Sequence, residues 1–373
     1  MFSKVIGQTA AKEQLLHMVE EDRIPHAILF CGPQGCGKLA LALAFARYLL
    51  CRAPQDGDAC GTCSPCRLFQ NYSHPDLHFT FPIIKPKNKS TDSISSDYYM
   101  AEWQQLLKAT WYFDLSDWLV RMKAENQQAV IYTRESDRIQ QKLSLKSSMG
   151  GRKVSFIWLP ERLNTECANK LLKLIEEPPA GTVFLLVSDQ PDKILPTIQS
   201  RTQRITLKGI DTPTLEQAIA ATHPECDATA IARRAAGSYT KALQLLRSDG
   251  DSELYLNLFI SLMRLSYQRK IKEMQAWSDQ VAALGRERQR QFLTYCQQLV
   301  RENFMYNFHR PELNYMSEKE EAFARNFARF VNERNVIKLM NELALADRDI
   351  AQNGNARIVF FDFALKIIVL LKQ

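Results

Sequence analysis

The amino-acid sequence predicts an α/β domain built on a parallel sheet, followed by a long all-helical part. A short apolar run at 27–31 leads into a glycine-rich loop and then into a strongly apolar helical segment at 39–50. Strand, glycine loop and helix in this order open a parallel α/β sheet. Two further strand-like runs, 154–159 and 183–188, are separated by a helical segment, and strand-like patterns end before about Thr212.

Length and composition limit the class of protein. A chain of 373 residues exceeds one ordinary core, so two or three domains are expected. The N-terminus lacks the apolar core of a secretory signal, and the apolar runs at 39–51 and 358–371 are too short to cross a bilayer. We therefore expect a soluble, cytoplasmic protein. In that reducing compartment, clustered cysteines favour metal binding over disulfides.

The loop after the first strand has the pattern of a phosphate-binding loop. Gly32, Gly35 and Gly37 allow backbone N–H groups to surround an anion at the start of a helix. Lys38 adds a positive charge for the β- and γ-phosphates. The sequence therefore predicts a P-loop fold, with ATP or ADP as the candidate ligand.

Two groups that phosphoryl transfer needs are missing from this site. Leu39 stands where a Ser or Thr hydroxyl would bind Mg²⁺, and no aspartate precedes Glu161 at the end of the run at 154–159. Phosphoryl transfer depends almost wholly on positioned charge and metal. We expect neither Mg²⁺ binding nor hydrolysis. The pattern leaves open whether nucleotide still binds weakly through the backbone and Lys38.

Four cysteines follow the first apolar helix at close spacing: Cys51, Cys60, Cys63 and Cys66. Tetrahedral Zn²⁺ takes four thiolates, and a site closed by four sulfurs is structural because no coordination position stays open. The pattern predicts a structural zinc module at 51–66, with an iron–sulfur cluster as the alternative. The other five cysteines lie in apolar or helical surroundings and are predicted to be small core residues.

Residues 85–128 interrupt the α/β pattern. They begin with a polar run at 85–96 and continue into a stretch rich in aromatic residues at 103–118. One interpretation is a small helical insertion whose aromatic side chains pack on the main domain. The other is a partner-binding surface, and the sequence leaves both open.

Several short blocks of the chain resemble the clamp-loader branch of the AAA+ ATPases. The strong matches run from about residue 5 to 207 and follow the family's order: IGQ at 6–8, PHAILF at 25–30, ANKLLKLIEEPP at 168–179, FLLVS at 184–188 and ILPTIQSR at 194–201. A four-cysteine zinc module after the first helix is also typical of that branch. Weaker matches follow at 236–243 and at Asn353 and Asn355.

The resemblance implies three domains. These are an AAA+ P-loop-type domain over 1–208 with the inserted zinc module, a small helical lid over 209–248, and an all-helical collar over 249–373 used in oligomerisation. An apolar face at 359–371 recurs at helical spacing. Core packing explains this face, and so does contact with neighbouring subunits in a helical collar; the sequence leaves both open.

The resemblance also implies a role for Arg201. In this branch the arginine of a Ser-Arg-Cys motif reaches the ATP site of a neighbouring subunit, as an arginine finger in trans. A planar cation there offsets charge on the γ-phosphoryl oxygens. The motif here reads Ser200-Arg201-Thr202. Arg204 is a weaker candidate for the same role, and Ser188 stands at the position of a polar γ-phosphate sensor.

A chain that keeps this arginine but has an altered nucleotide site resembles a non-hydrolysing subunit of the clamp loader rather than its gamma and tau motors. The leading hypothesis is a scaffold in a hetero-pentamer with gamma/tau and delta subunits, which loads the sliding clamp of DNA polymerase III on primer-template DNA. A gamma-like ATPase with metal ligands from elsewhere is the alternative. A third hypothesis, a stand-alone zinc-containing nucleic-acid binder, requires a concentrated basic face. The net charge is only +7, and the basic residues form only short clusters, at 85–89 and 142–153.

Overall fold

The computed structural model describes residues 2–86, 94–124, 127–310 and 314–372. The chain divides into two compact units, one ending at Leu243 and the other beginning at Gln244. The three-domain division expected from the sequence, with boundaries at 208 and 248, stays a prediction. Most of the polar run at 85–96 lies outside the described residues.

The first unit is built on a parallel sheet. Its main elements, in chain order, are α1 (Thr9–Glu20), β1 (Ala27–Cys31), α2 (Lys38–Leu50), α3 (Ser64–Gln70), β2 (Leu77–Thr80), α4 (Met100–Ala109), α5 (Leu115–Arg121), α6 (Arg134–Ser144), β3 (Lys153–Trp158), α7 (Thr165–Glu176), β4 (Thr182–Val187), α8 (Pro196–Gln199), β5 (Gln203–Thr206), α9 (Thr212–Thr222) and α10 (Ala228–Ala235). In the described part of the chain, five strands form one sheet in the order β2-β3-β4-β1-β5, and all neighbours are parallel. The predicted fold class is confirmed.

Two of these strands, β2 and β5, are not predicted by the sequence pattern. Each has only four residues, and three of the four residues of β5 are exposed. Both strands lie at the edges of the sheet. An edge strand of only four residues is too short to show a period of apolar residues. The central strands β1, β3 and β4 are buried along their whole length, which explains why continuous apolar runs predict them.

The central strands pack on α6 and α7. Leu29, Ile157 and Phe184 from the three strands form one buried cluster with Leu143 of α6 and Leu171 of α7. The helix α2, which follows the phosphate loop, also packs on β1, β3 and β4. Helices on a fully buried parallel sheet fix the positions of the strand ends. The loops after those strands are therefore held in place.

The insertion contributes α4 and α5, whose aromatic residues pack on the main domain. Trp103 and Trp118 are completely buried and contact each other and Phe81. The Trp118 indole N–H donates to the Pro82 carbonyl at 2.8 Å. The packing interpretation holds for these residues.

The second unit is helical in its described residues. It takes most of α11 (Tyr239–Gln268) and continues through α12 (Ile271–Ala282), α13 (Arg286–Tyr306), α14 (Glu318–Phe327), α15 (Val336–Ala351) and α16 (Ala356–Leu370). Phe360 and Ile367 of the apolar face at 359–371 lie in the core of this unit, whereas Ile358 and Val369 are exposed. Within the described ranges, no helix has the length and apolar character needed to cross a bilayer.

Candidate functional site

The phosphate loop lies at the carboxyl end of β1. It connects β1 to α2, and the backbone φ angles of Gly35 and Gly37 are +76° and +97°. Residues with side chains rarely adopt these angles, so the turn requires glycine at both positions. The predicted strand, loop and helix are all present.

Lys38 is held by the chain itself. Its side chain is 4% exposed, and its Nζ donates to the carbonyls of Gly32 at 2.9 Å and Pro33 at 2.6 Å. The third partner is the carboxylate of Asp189, beyond β4, at 2.8 Å. A lysine ammonium has three donors, and all three are engaged. Sequence reasoning missed Asp189, because no local pattern shows which loop a residue after a strand will face.

The insertion closes the phosphate loop from one side. Tyr112 packs so closely on Gly37 that a Cβ on this glycine would lie 3.2 Å from the tyrosine oxygen. The same hydroxyl accepts a hydrogen bond from the Ile6 backbone N–H at 2.8 Å. The Tyr112 ring also contacts Tyr239, with ring centres 4.9 Å apart. Burial raises the pKa of Tyr112, so its hydroxyl is neutral in this position.

The turn before α11 closes the loop from another side. A Cβ on Gly35 would lie 2.0 Å from the Ser238 hydroxyl oxygen, so only glycine fits here. The Tyr239 backbone N–H donates to the Gly35 carbonyl at 3.0 Å. The cavity between the loop, residues 111–113 and Thr240 measures about 20 Å³. This is room for about one water molecule, whereas pockets for small ligands measure roughly 300 Å³ or more.

The residues at the positions expected for metal ligands either lack a ligand atom or are bonded to other groups of the chain. Leu39, in the first turn of α2, is buried and offers no lone pair. Glu161, beyond β3, accepts hydrogen bonds from the Ser188 hydroxyl at 2.8 Å and the Asp189 backbone N–H at 2.9 Å. Burial raises the pKa of the Glu161 carboxyl. Ser188 is fully buried and bonds to Glu161.

Arg201 lies at the edge of the sheet opposite the phosphate loop. The parallel strands β1 and β5 pair Ile28 with Gln203 and Cys31 with Thr206. Arg201 precedes the amino end of β5, whereas the phosphate loop follows the carboxyl end of β1. A strand rises about 3.3 Å per residue, so β1 separates the two by roughly 16 Å. Arg201 therefore cannot serve the phosphate loop of its own chain.

Arg201 is partly exposed beside an open cleft. Its side chain is 34% exposed, and its Nε lies 3.2 Å from the carboxylate of Glu176, whose side chain is 56% exposed. This contact is an ion pair without the alignment of a hydrogen bond. The Nη1 atom donates to the Thr197 carbonyl at 3.1 Å. The cleft measures about 540 Å³ and lies at the amino ends of β1 and β5. Arg204 instead donates to the Cys31 sulfur at 2.8 Å, so its guanidinium is bound to β1.

The four predicted cysteines come together after α2. The Cys51 sulfur lies 3.5 Å from that of Cys60 and 3.9 Å from that of Cys63, and with Cys66 all four sulfurs lie within 4.8 Å of one another. Four sulfurs about 2.3 Å from one Zn²⁺ would be about 3.8 Å apart. The group therefore fits the ion and could hold a structural Zn²⁺. No other group of three or more potential ligands occurs in the part of the chain that the structure describes.

The cysteines differ in their surroundings. The backbone N–H groups of Cys63 and Thr62 lower the pKa of Cys60 to about 6, whereas burial raises the pKa of Cys66 to about 12. Outside the cluster, Cys31, Cys36, Cys167 and Cys296 are buried as predicted. Cys226 departs from the prediction, because it is partly exposed and bonds to the His223 carbonyl.

Comparison with known families identifies the class of this chain. The family model described as DNA polymerase III, delta subunit, matches residues 7–211, more than half of the chain. The chain belongs to this family. The region that matches the DNA polymerase III delta-subunit model contains the phosphate loop, the cysteine cluster and Arg201.

Individual relatives agree with the family. The chain is 34% identical to DNA polymerase III subunit delta-prime of Pseudomonas aeruginosa over 176 residues, which cover 47% of this chain and 41% of that protein. It is 25% identical to subunit delta-prime of Bacillus subtilis over 263 residues, covering 70% and 66%. It is 26% identical to subunit gamma/tau of Mycobacterium tuberculosis over 219 residues, covering 59% and 30%. The chain thus spans less than half of the Pseudomonas relative. The zinc-type cysteines, the altered phosphate loop and the retained Ser200-Arg201 in the sequence together predict a resemblance to delta-prime. The family model and the delta-prime relatives confirm this resemblance.

Proposed function

We propose that this member of the DNA polymerase III delta-subunit family is the delta-prime-type subunit of a clamp loader. The chain itself does not hydrolyse ATP. It assembles in the cytoplasm with gamma/tau-type and delta subunits, and the complex uses ATP to load a sliding clamp on primer-template DNA during replication. Arg201 acts in trans on the ATP site of a motor neighbour. The observation that carries this proposal is the position of Arg201 at the sheet edge opposite its own phosphate loop.

The contacts of Arg201 within its own chain are weak, so this side chain can exchange them for contacts with a partner subunit. Its ion pair with Glu176 is partly exposed to solvent and lacks the alignment of a hydrogen bond, and surface pairs of this kind contribute only about 0–1 kcal/mol. A γ-phosphate carries more charge than one carboxylate and accepts two parallel hydrogen bonds from a guanidinium. Exchange of Glu176 for a neighbour's phosphate is therefore favourable. The open cleft beside Arg201 leaves space for that phosphate.

The filled phosphate loop supports the non-hydrolysing part of the proposal. Phosphoryl transfer requires positioned Mg²⁺ and a lysine charge directed at the phosphates. Here Lys38 is paired with Asp189, and position 39 is leucine. Tyr112 and Ser238 fill the space beside the loop glycines. We infer that one role of the insertion at 85–128 is to occupy this site permanently, so that neither ATP nor ADP binds there.

The proposed cofactor is one structural Zn²⁺ held by Cys51, Cys60, Cys63 and Cys66. A closed four-sulfur site leaves no position for water or substrate, so the ion has no catalytic role. The bound ion would join the chain after α2 to the first turn of α3, where Cys66 lies. It would thereby stabilise a segment that has few other regular hydrogen bonds.

A mixing experiment tests the proposed function. The purified chain is titrated into gamma/tau-type motor subunits together with a delta subunit, a sliding clamp and primed DNA, and ATP hydrolysis is followed. We expect no hydrolysis by the chain alone. We expect clamp- and DNA-stimulated hydrolysis to rise with added chain and then saturate. Magnesium-dependent turnover by the isolated chain would overturn the assignment and favour a gamma-like ATPase.

A further inference from the structure

A buried arginine lies next to the zinc module, and no carboxylate balances its charge. Arg47, in the last turn of α2, is 2% exposed. Its Nη2 donates to the Cys66 carbonyl at 3.3 Å, and its guanidinium carbon lies 6.0 Å from the centre of the Phe69 ring. Its Nε is buried and makes no hydrogen bond. Among the residues that the structure describes, no Asp or Glu forms an ion pair with Arg47.

A buried guanidinium without a counter-charge is unfavourable. Moving an unpaired charge out of water is costly even after the protein relaxes. Arginine does not give up its proton in proteins, so the charge persists. The Cys66 carbonyl and the distant Phe69 ring carry no net charge and offset little of this cost. A negative group is therefore expected close to Arg47 in the functional form of the protein.

The cysteine cluster supplies this negative group when metal is bound. Four thiolates around one Zn²⁺ leave a net double negative charge. Arg47 lies against the cluster, because Nη2 bonds to the Cys66 carbonyl and lies 3.8 Å from the position that a Cβ on Gly61 would take. We propose that Arg47 is the counter-ion of the zinc–thiolate centre and strengthens its hold on the metal. This inference rests on the zinc site proposed above.

The pairing has opposite consequences for the zinc-bound and the zinc-free chain. With Zn²⁺ bound, loss of the Arg47 charge leaves the anionic centre uncompensated, so zinc affinity falls. Without zinc, the Arg47 charge itself is uncompensated, so its removal leaves the melting temperature unchanged or raises it. A residue that only fills space would lower the melting temperature of both forms. The difference between the two forms therefore separates charge balance from packing.

The experiment compares the full wild-type chain with Arg47→Gln. Glutamine removes the charge and keeps an amide N–H at about the position of the Arg47 Nε. Zinc affinity is measured by competition with a chromophoric chelator, and melting temperatures are measured with and without zinc. The matched control is Arg67→Gln, which removes an exposed arginine that also borders the zinc module and whose Nε donates to the Thr62 carbonyl at 2.8 Å.

We expect zinc affinity to fall about 10–100-fold in Arg47→Gln, the range typical of groups that support metal ligands, and to stay near the wild-type value in Arg67→Gln. Unchanged zinc affinity in Arg47→Gln, or an equal loss of melting temperature with and without zinc, overturns the proposal. If Arg47→Gln does not fold, Arg47→Lys decides. Affinity within about tenfold of wild type then supports a role for the charge, and a larger loss contradicts it. A wild-type chain that binds no zinc refutes the metal site itself, which is a separate result.

Discussion

Lys38 and Asp189 form an ion pair of 2.8 Å beside the phosphate loop. In a P-loop that uses ATP, this lysine contacts the β- and γ-phosphates. Here a carboxylate from the loop after β4 takes that place, and two backbone carbonyls accept the remaining hydrogen bonds. All three donors of Lys38 are therefore engaged by the chain itself.

Replacing Lys38 by methionine should destabilise the chain, although ATP chemistry is not its role. The change leaves Asp189 and two carbonyls without their donor, and we expect a loss of about 2–4 kcal/mol in the free energy of unfolding. Urea denaturation measures this loss. The control is Lys170→Met, because Lys170 is exposed and pairs with Asp137 at 3.3 Å. That variant should lose less than about 1 kcal/mol. Equal losses in both variants would contradict the role given to Lys38.

The wild-type chain should not bind ATP at millimolar concentration. The cavity beside the loop measures about 20 Å³, so Tyr112 would have to leave before phosphates could enter. We take the cost of moving Tyr112 out as similar to that of truncating a buried aromatic side chain, about 3–5 kcal/mol. This cost would cancel the binding free energy of roughly 4 kcal/mol that corresponds to a Kd of 1 mM. Equilibrium dialysis with and without Mg²⁺ checks this, with a gamma/tau-type subunit as the positive control. Saturable ATP binding by the wild-type chain at millimolar or lower concentration would show that the loop opens.

Zinc removal should lower the melting temperature of the chain. In a site closed by four thiolates, the free energy of metal binding adds to the free energy of folding. Calorimetry with and without a chelator measures the effect. Cys63→Ser should lower the melting temperature by a similar amount, whereas Cys226→Ser, outside the cluster, should have the melting temperature of the wild type. A chain whose melting responds neither to chelator nor to Cys63→Ser would show that the cysteines hold no structural metal.

The insertion should depend on its buried tryptophans for stability. Trp118→Ala removes a completely buried ring and its hydrogen bond to the Pro82 carbonyl, and we expect a loss of about 3–5 kcal/mol. Val120→Ala is the control on the same helix, because Val120 is exposed, and it should change stability by less than about 0.5 kcal/mol. Thermal or urea unfolding separates the two. A Trp118→Ala variant as stable as Val120→Ala would show that the insertion is held by other contacts.

The sequence predicts those parts of the molecule that are formed by residues close together in the chain. The strand β1, the phosphate loop and α2 follow one another directly, so an apolar run, three glycines and a helical pattern suffice. The cysteine cluster is predictable for the same reason, since Cys60, Cys63 and Cys66 lie close together in the chain. Arg201 could be singled out only through the family's motif order, because an arginine near a short edge strand has no distinctive pattern of its own.

The contacts that fill the phosphate loop could not be predicted. Tyr112 and Ser238 reach the loop glycines from distant parts of the chain, through the packing of the insertion and the turn before α11. Whether an aromatic residue in an insertion packs on a core or on a partner depends on where the insertion lies in the folded chain, and no local pattern shows this. Arg47 was also missed, because an arginine in an apolar helix has an ordinary pattern, and only its burial beside the cysteines distinguishes it.

We propose that Arg201 acts on a neighbouring subunit. The most direct measurement is clamp- and DNA-stimulated ATP hydrolysis by the reconstituted complex carrying wild type, Arg201→Ala or Arg204→Ala. Arg204→Ala is the matched control, because Arg204 lies nearby in the chain and bonds to the Cys31 sulfur. Gel filtration first establishes that all three complexes assemble.

We expect the Arg201→Ala complex to assemble normally and to lose most of the stimulated hydrolysis. An arginine supplied in trans contributes about 10³-fold or more to phosphoryl transfer at the site that it faces. Arg201→Lys should restore only a part, since an ammonium lacks the planar pair of donors, and Arg204→Ala should retain the wild-type rate. An Arg201→Ala complex that hydrolyses ATP at the wild-type rate would contradict a role of Arg201 at the neighbour's ATP site.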